Sequence, residues 1–122
     1  MSAADVEVLR SLLLGAADSH GFRIWAYCFM ADHLHILVEG MRPDASLPEF
    51  IRVFKQRSSH VFRQRHGKAL WQRSYYDHVL RKDEHIQAVA RYILENPIRK
   101  GMIEDFRKFP FSGPSETLEG LS

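Results

Sequence analysis

The segment His33-Leu34-His35 places two imidazoles two positions apart in an apolar run that ends at Val38. Because side chains alternate between the faces of a β-strand, both histidines project from one face, and Leu34, Ile36 and Val38 project from the other. Two neutral imidazole nitrogens on one face can bind one metal ion. Two half-exposed histidines without a ligand are the more common outcome of this spacing, so the pair needs further ligands to predict a metal centre.

Tyr92 and Asn96 are a second pair of reactive side chains, four residues apart, and on a helix they lie one above the other. Their face flanks the apolar stripe of the helix, so a hydroxyl and an amide oxygen can reach the sheet surface where the histidines project. Two imidazoles and an amide oxygen with open positions suit Mg²⁺ or Mn²⁺ acting on a phosphodiester, and the imidazoles would equally accept Zn²⁺. Tyr92 would then attack phosphorus and form a covalent phosphotyrosine.

Other side chains compete for these roles. Tyr75 and Tyr76 are alternative nucleophiles by residue type, but their strand-like surroundings favour packing or base stacking. Tyr92 itself has the ordinary alternative of a tyrosine at the margin of a core. His85 precedes Tyr92 by seven residues, shares its helix face and is a candidate substrate contact. The remaining histidines are expected at the surface or facing nucleic acid, without an assigned role: His20, His60, His66 and His78.

The histidine pair requires a hairpin near the start of the chain. A helical repeat of apolar residues predicts a first helix that ends at His20-Gly21. Residues 22–30 then predict a strand, Ala31-Asp32 a turn and residues 33–39 the returning strand. The repeat that predicts the helix consists of Val6, Leu9, Leu13 and Ala16.

Two further helices and a strand follow. Ser46-Leu47-Pro48-Glu49 is a capping box that begins a second helix, which ends near Gly67. Residues 69–81 predict an extended segment. Asp83 is the expected N-cap of a third helix, which Pro97 ends near Asn96. The order α-β-β-α-β-α predicts an α+β fold, an antiparallel sheet with helices packed on it. The third helix has an unbroken apolar stripe: Ile86, Val89, Ala90, Ile93 and Leu94.

Length and composition predict a single globular domain. With 122 residues, 45% of them hydrophobic and 26% charged, the chain has the composition of an ordinary soluble protein. We expect one domain over residues 1–113 and a flexible tail over residues 114–122. The single cysteine, Cys28, excludes an internal disulfide and a cysteine-based metal site, so a cytoplasmic location is predicted. The cluster Leu12-Leu13-Leu14 is too short to span a membrane.

The middle of the chain is basic, although the net charge is only +2. Residues 50–76 contain no acid, seven basic residues and several aromatic ones. This pattern is the usual electrostatic signature of a protein that binds nucleic acid. The alternative is a solvated helix face without a ligand.

Three segments, in this order, resemble a known family: 26–38 (AYCFMADHLHILV), 70–81 (LWQRSYYDHVLR) and 92–103 (YILENPIRKGMI). They are similar to the Y1 transposases of the IS200/IS605 type, and most similar to the REP-associated tyrosine transposases. These proteins belong to the HUH endonucleases, where U is a hydrophobic residue. The closing Phe109-Pro110-Phe111-Ser112 is similar to the aromatic-serine end of the family, so the resemblance spans residues 21–112.

The resemblance implies a ferredoxin-like or RRM-like fold and a specific site. His33 and His35 would be the HUH metal ligands, Asn96 the third ligand and Tyr92 the nucleophile. The resemblance also implies an enzyme that is located in the bacterial nucleoid. Its substrate would be single-stranded DNA folded as a hairpin, often a repetitive extragenic palindrome, which it would cut. It leaves a 5′-phosphotyrosine and a free 3′-hydroxyl. The residues expected to contact the DNA backbone or stack on its bases are Arg52, Lys55, Arg57, Arg63, Arg65, Lys68, Trp71 and Arg73.

The sequence departs from the family in two places. The turn before His33 reads Ala31-Asp32 where the family has Pro-Asn, and Asp32 can still make the turn. The family's first strand precedes the first helix and lies beside the histidine strand, and this sequence predicts no strand before its first helix. We therefore expect an exposed edge on the histidine strand. Such an edge has three alternative explanations. A second copy of the chain pairs with it, the start is truncated, or the protein is a relative that binds hairpins without cutting them.

Overall fold

The computed structural model describes residues 2–30, 34–67, 76–79 and 85–120. The predicted order of elements is confirmed from the first helix to the third, and four short elements follow the third helix. The helices are α1 (Ala3–Ser19), α2 (Leu47–His66), α3 (Ile86–Leu94), α4 (Asn96–Arg99) and α5 (Ser115–Gly120). The strands are β1 (Phe22–Phe29), β2 (Leu34–Gly40), β3 (Tyr76–Val79) and β4 (Ser112–Gly113), with a 3-10 turn at Phe106–Lys108.

The strands form one sheet in the order β3-β2-β1-β4. β1 and β4 run antiparallel, with Tyr27 opposite Gly113. β1 and β2 are neighbours that only four residues connect, and so short a connection joins antiparallel strands. The predicted α+β class, an antiparallel sheet with helices packed on it, is confirmed for these three strands.

The remaining strand, β3, differs from two expectations: that the whole sheet is antiparallel, and that the histidine strand lies at an exposed edge. It runs parallel to β2, with His35 opposite Tyr76 and Val38 opposite Val79. Parallel neighbours need a long crossover connection, and the connection between β2 and β3 contains α2. β3 also lies on the side of β2 opposite β1, so among the described strands the histidine strand is not the exposed edge that we expected. The edges of this sheet are β3 and β4.

The chain forms two compact units, the first of residues 1–23 and 40–74 and the second of residues 24–39 and 75–122. In the first unit α1 packs against α2. α1 begins with a complete capping box, in which the Ser2 hydroxyl accepts from the Asp5 N–H and the Asp5 carboxylate accepts from the Ser2 N–H. The apolar residues that predicted α1 are all buried: Val6, Leu9, Leu13 and Ala16.

α2 begins at its predicted cap, but only half of the predicted capping box forms. The Ser46 hydroxyl accepts from the Glu49 N–H at 3.4 Å, whereas the Glu49 carboxylate pairs with Arg52 one turn later. Gly67 ends the helix with a left-handed φ of 70°, which glycine adopts without steric cost.

The buried face of α2 follows a spacing of four residues. Phe50, Phe54, Ser58 and Phe62 form it, and Ser58 is accommodated because its hydroxyl donates to the Phe54 carbonyl at 2.6 Å. Phe50 also stacks on Phe22, with ring centroids 5.2 Å apart. Three other apolar residues of α2 are only half-buried: Leu47, Ile51 and Val61.

In the second unit, α3 packs on one face of the sheet and the predicted stripe is confirmed at its centre. Leu37 of β2 and Leu94 of α3 belong to one buried cluster, and Leu118 of α5 packs against it. α5 lies in the stretch for which the sequence predicted a flexible tail. The cluster also contains Ala26, Cys28, Met30, Ala90, Ile93, Phe106 and Phe109.

The ends of α3 differ slightly from the prediction. The N-cap is His85 rather than Asp83, and its side chain makes no capping hydrogen bond. At the other end Pro97 interrupts the helix as predicted, with Glu95 as a single turn residue before α4. Within the described residues no helix has the length and apolar character needed to cross a membrane.

Candidate active site

His35 lies on the face of the sheet that α3 covers. It is half-buried on β2, two residues before Leu37, and Leu37 contacts the buried cluster that contains Ala90 and Ile93 of α3. Because alternate residues of a strand share a face, His35 projects toward the same layer as Leu37. His33 and the turn before it lie outside the described residues.

Tyr92 is on the outer flank of α3, as its position beside the apolar stripe predicts. Its side chain is 65% exposed, whereas the adjacent Ile93 is buried. A large aromatic side chain so exposed on a helix has little packing to explain it. The phenol is therefore accessible to a ligand.

Arg99 contacts Tyr92 in two ways. Its Nη2 donates a hydrogen bond to the Tyr92 carbonyl at 2.6 Å, and its guanidinium carbon lies 4.0 Å from the centroid of the Tyr92 ring. The distance is within the range of a cation–π interaction. Arg99 lies in one of the segments that resemble the family, but the sequence predicts no role for it. Its contact with Tyr92 crosses the break between α3 and α4, which local spacing does not reveal.

Asn96 behaves differently from Tyr92, although the two are four residues apart. It is the first residue of α4 and only 6% exposed. The predicted arrangement, one side chain above the other on a continuous helix, is wrong because α3 ends at Leu94 and Asn96 is turned into the interior. A buried amide requires a polar partner, and an amide oxygen is a suitable ligand for a hard cation.

The two described members of the predicted ligand set, His35 and Asn96, have side chains of the kinds that bind metal ions. His35 offers an imidazole on the face that α3 covers, and Asn96 offers a buried amide. Within the described ranges, which omit His33, no three histidine, cysteine or carboxylate side chains converge as a ligand group. His33 is therefore the residue needed to complete the predicted set, and the metal remains a prediction.

Cys28 lies in the core of the same unit, and its thiol is held in the neutral form. Burial raises the pKa of its thiol to about 12, although the positive charge of Arg99 acts in the opposite direction. At neutral pH a thiol in this state stays protonated and is a poor nucleophile.

The basic residues of α2 fall into two groups. Arg52 pairs with Glu49, and Arg65 donates to Asp5 at 3.0 Å, so both already have acidic partners. Arg57 and Arg63 are exposed, and Lys55 is half-buried. Three of the predicted DNA contacts lie outside the described residues: Lys68, Trp71 and Arg73.

His66, which the sequence predicts at the surface or facing nucleic acid, contacts the buried carboxylate of Asp5 instead. The carboxylate is 2% exposed and accepts hydrogen bonds from Ser2, from Arg65 and, at 2.9 Å, from His66. The Ser2 backbone N–H and the His66 side chain hold the pKa of Asp5 well below its usual range. His66 is thus part of an internal polar cluster.

Comparison with known proteins identifies relatives. The sequence profile of the family described as "Transposase IS200 like" matches residues 2–96. A Haemophilus influenzae protein named as a REP-associated tyrosine transposase is 24% identical over 123 residues, which cover 88% of this chain and 67% of the relative. The REP-associated tyrosine transposase of Escherichia coli K12 is 23% identical over 106 residues, which cover 87% of this chain and 62% of the relative.

The chain thus spans about two thirds of the length of these two relatives. No solved structure matches it significantly.

Proposed function

Because the chain belongs to the IS200-like transposase family, we propose that it cuts and rejoins single-stranded DNA with Tyr92 as the nucleophile. One observation carries this proposal: the phenol of Tyr92 is 65% exposed on the helix that covers the same sheet face as His35. A nucleophile needs access to a phosphodiester, and among the described tyrosine side chains Tyr92 is the exposed one, since Tyr27 is buried.

The chemical step is a displacement at phosphorus. The Tyr92 Oη forms a bond to the phosphorus, and the bond from phosphorus to the 3′-oxygen of the preceding nucleotide breaks. The phenol proton passes to solvent, and the departing 3′-oxygen takes up a proton. The products are a 5′-phosphotyrosine and a free 3′-hydroxyl. Attack by a 3′-hydroxyl on the phosphotyrosine reverses the step and joins strands.

We propose His33, His35 and Asn96 as the ligands of a divalent metal, Mg²⁺ or Mn²⁺. When bound, the ion would supply positive charge to the scissile phosphate. The residues themselves contribute orientation: the half-buried His35 is fixed on β2, and the buried Asn96 is fixed by the turn before Pro97. Ligands carried by a strand or a helix end would hold a substrate phosphate more accurately than loop residues would.

The substrate that we propose is a single strand folded as an imperfect hairpin, in the bacterial nucleoid. The two relatives named as REP-associated tyrosine transposases support this choice. The exposed side chains of Arg57 and Arg63 offer charges for the DNA backbone, as do the predicted contacts at 68–73. If two copies pair through a sheet edge, that edge is β3 or β4, because β3 covers the histidine strand.

The test uses hairpin oligonucleotides with single-stranded tails, taken from palindromes that flank the gene, with Mg²⁺ or Mn²⁺. We expect the wild-type protein to form a covalent DNA adduct that survives denaturing electrophoresis, and Tyr92→Phe to form none. Tyr75→Phe and Tyr76→Phe are matched controls that should still form it. An adduct that is lost in a control and kept in Tyr92→Phe would identify a different nucleophile.

Hairpin binding without an adduct in either metal would favour the alternative, a module that recognises hairpins but does not cut them. Chelation provides a further control, since EDTA should abolish the adduct if the ligands hold a required metal. Binding that depends neither on the hairpin nor on salt concentration would argue against both the DNA-cutting enzyme and the hairpin-binding module.

A further inference from the structure

Arg99 has an unusual relation to Tyr92, because one guanidinium contacts both the backbone and the ring of the same residue. The hydrogen bond to the Tyr92 carbonyl is 2.6 Å long, and the distance to the ring centroid is 4.0 Å. The two residues are seven positions apart and on different helices, so the break at Glu95 makes this contact available.

The backbone contact has a simple physical basis. Tyr92 lies in the last turn of α3, where carbonyl groups lose the N–H partner that a continuing helix would supply. A cation near a helix C-terminus is also favoured by the helix dipole. The guanidinium thus acts as a cap for α3, and its position there brings it over the Tyr92 ring.

The ring contact restricts the side chain that carries the nucleophile. An exposed tyrosine on a helix samples several rotamers, whereas a ring held against a fixed guanidinium keeps one. The Arg99 guanidinium therefore contacts the carbonyl and the ring of Tyr92 together. Lysine cannot replace this contact fully, because its compact ammonium group lacks the extended guanidinium that reaches the carbonyl and the ring at once.

We infer that Arg99 is the positioning residue of Tyr92, holding the phenol in the orientation that reaches the phosphodiester. The inference rests on the proposed function of Tyr92 as the nucleophile. Arg91, the exposed neighbour of Tyr92 on α3, provides a matched control. Its guanidinium lies 5.6 Å from the Phe106 ring and belongs to a different contact.

The first measurement is the single-turnover rate of adduct formation at saturating hairpin DNA. We expect Arg99→Gln to lower this rate by about ten- to a hundredfold, because misplacing a reacting group is costly, with hairpin affinity almost unchanged. Arg91→Gln should keep the wild-type rate. Arg99→Lys separates positioning from capping: it should restore the melting temperature, since a cation remains at the helix end, but only part of the rate.

An Arg99→Lys variant with both stability and rate restored would show that Arg99 is only a helix cap. A loss of hairpin affinity equal to the loss of rate would show that Arg99 binds DNA instead. Either result overturns the inference.

The second measurement needs no DNA and separates this inference from the proposed function. The ring signals of Tyr92 in a protein with labelled tyrosine are assigned by their disappearance in Tyr92→Phe. We expect Arg99→Gln to shift and narrow these signals, because the ring gains freedom, and Arg91→Gln to leave them unchanged. If the wild type forms no adduct, the proposed function fails, and unchanged ring signals in Arg99→Gln would independently refute the contact.

Discussion

The two compact units of the protein use charge in opposite ways. In the first unit Arg65 and His66 surround the buried carboxylate of Asp5, and Arg52 pairs with Glu49. In the second unit the core is apolar, and Arg99 contacts an exposed tyrosine rather than an acid. A basic residue therefore cannot be assigned to a ligand from its type alone. Its acidic neighbours decide whether its charge is available.

The comparison predicts that the second unit depends most on its apolar core. Leu37→Ala would remove a fully buried side chain on the same sheet face as His35. We expect the free energy of unfolding to fall by about 2–5 kcal/mol because a cavity remains. Chemical denaturation followed by circular dichroism measures this. Leu14→Ala, at an exposed leucine, is the control and should change stability by less than about 0.5 kcal/mol.

The first unit should depend instead on its polar cluster. Asp5→Asn removes the charge that Arg65 and His66 face, and we expect a loss of about 1–3 kcal/mol, reduced from the cost of a fully buried pair because both partners are exposed. Asp18→Asn removes an exposed acid from the same helix and should have almost no effect. Equal effects of the two substitutions would show that the Asp5 cluster adds nothing to stability.

Acid should weaken the first unit through the same carboxylate. Because the pKa of Asp5 is lowered in the folded protein, its contribution is fully present above the ordinary carboxyl value of 3.8 and is lost as the pH falls below it. The wild type should therefore lose stability between about pH 5 and pH 2 more steeply than Asp5→Asn. Urea denaturation at several pH values measures how the free energy of unfolding of each protein depends on pH. Equal slopes for the wild type and Asp5→Asn would contradict the assignment of this acid sensitivity to Asp5.

The smallest expected effects concern DNA binding by α2. Arg57→Gln and Arg63→Gln should each reduce the slope of log affinity against log salt by about 0.7 for a single strand if each contacts a phosphate. Arg52→Gln should reduce it less, because the Arg52 charge already has an acidic partner in Glu49. Fluorescence anisotropy with a labelled hairpin measures these slopes. Three equal reductions would mean that intramolecular pairing does not limit the DNA contacts.

Much of the fold could be predicted because its signals are local. The spacing in α1 and α3, the cap at Ser46 and the stop at Gly67 each depend on residues within a few positions of one another. The parallel pairing of β3 could not be predicted in this way, since it depends on the path of the chain through α2. α5 was also missed, because a short helix next to proline and glycine has no clear periodicity.

The sequence by itself determined which residues can do chemistry here: a histidine on a half-buried strand, and a tyrosine on the flank of an amphipathic helix. Their alternation and helical spacing follow from backbone geometry, which nearby residues specify. Only the tertiary structure decided that Asn96 is buried and that Arg99 contacts Tyr92. It also decided that Arg65 and His66 pair with the carboxylate of Asp5. These pairings depend on where helices end and which ends meet, and no local pattern encodes that.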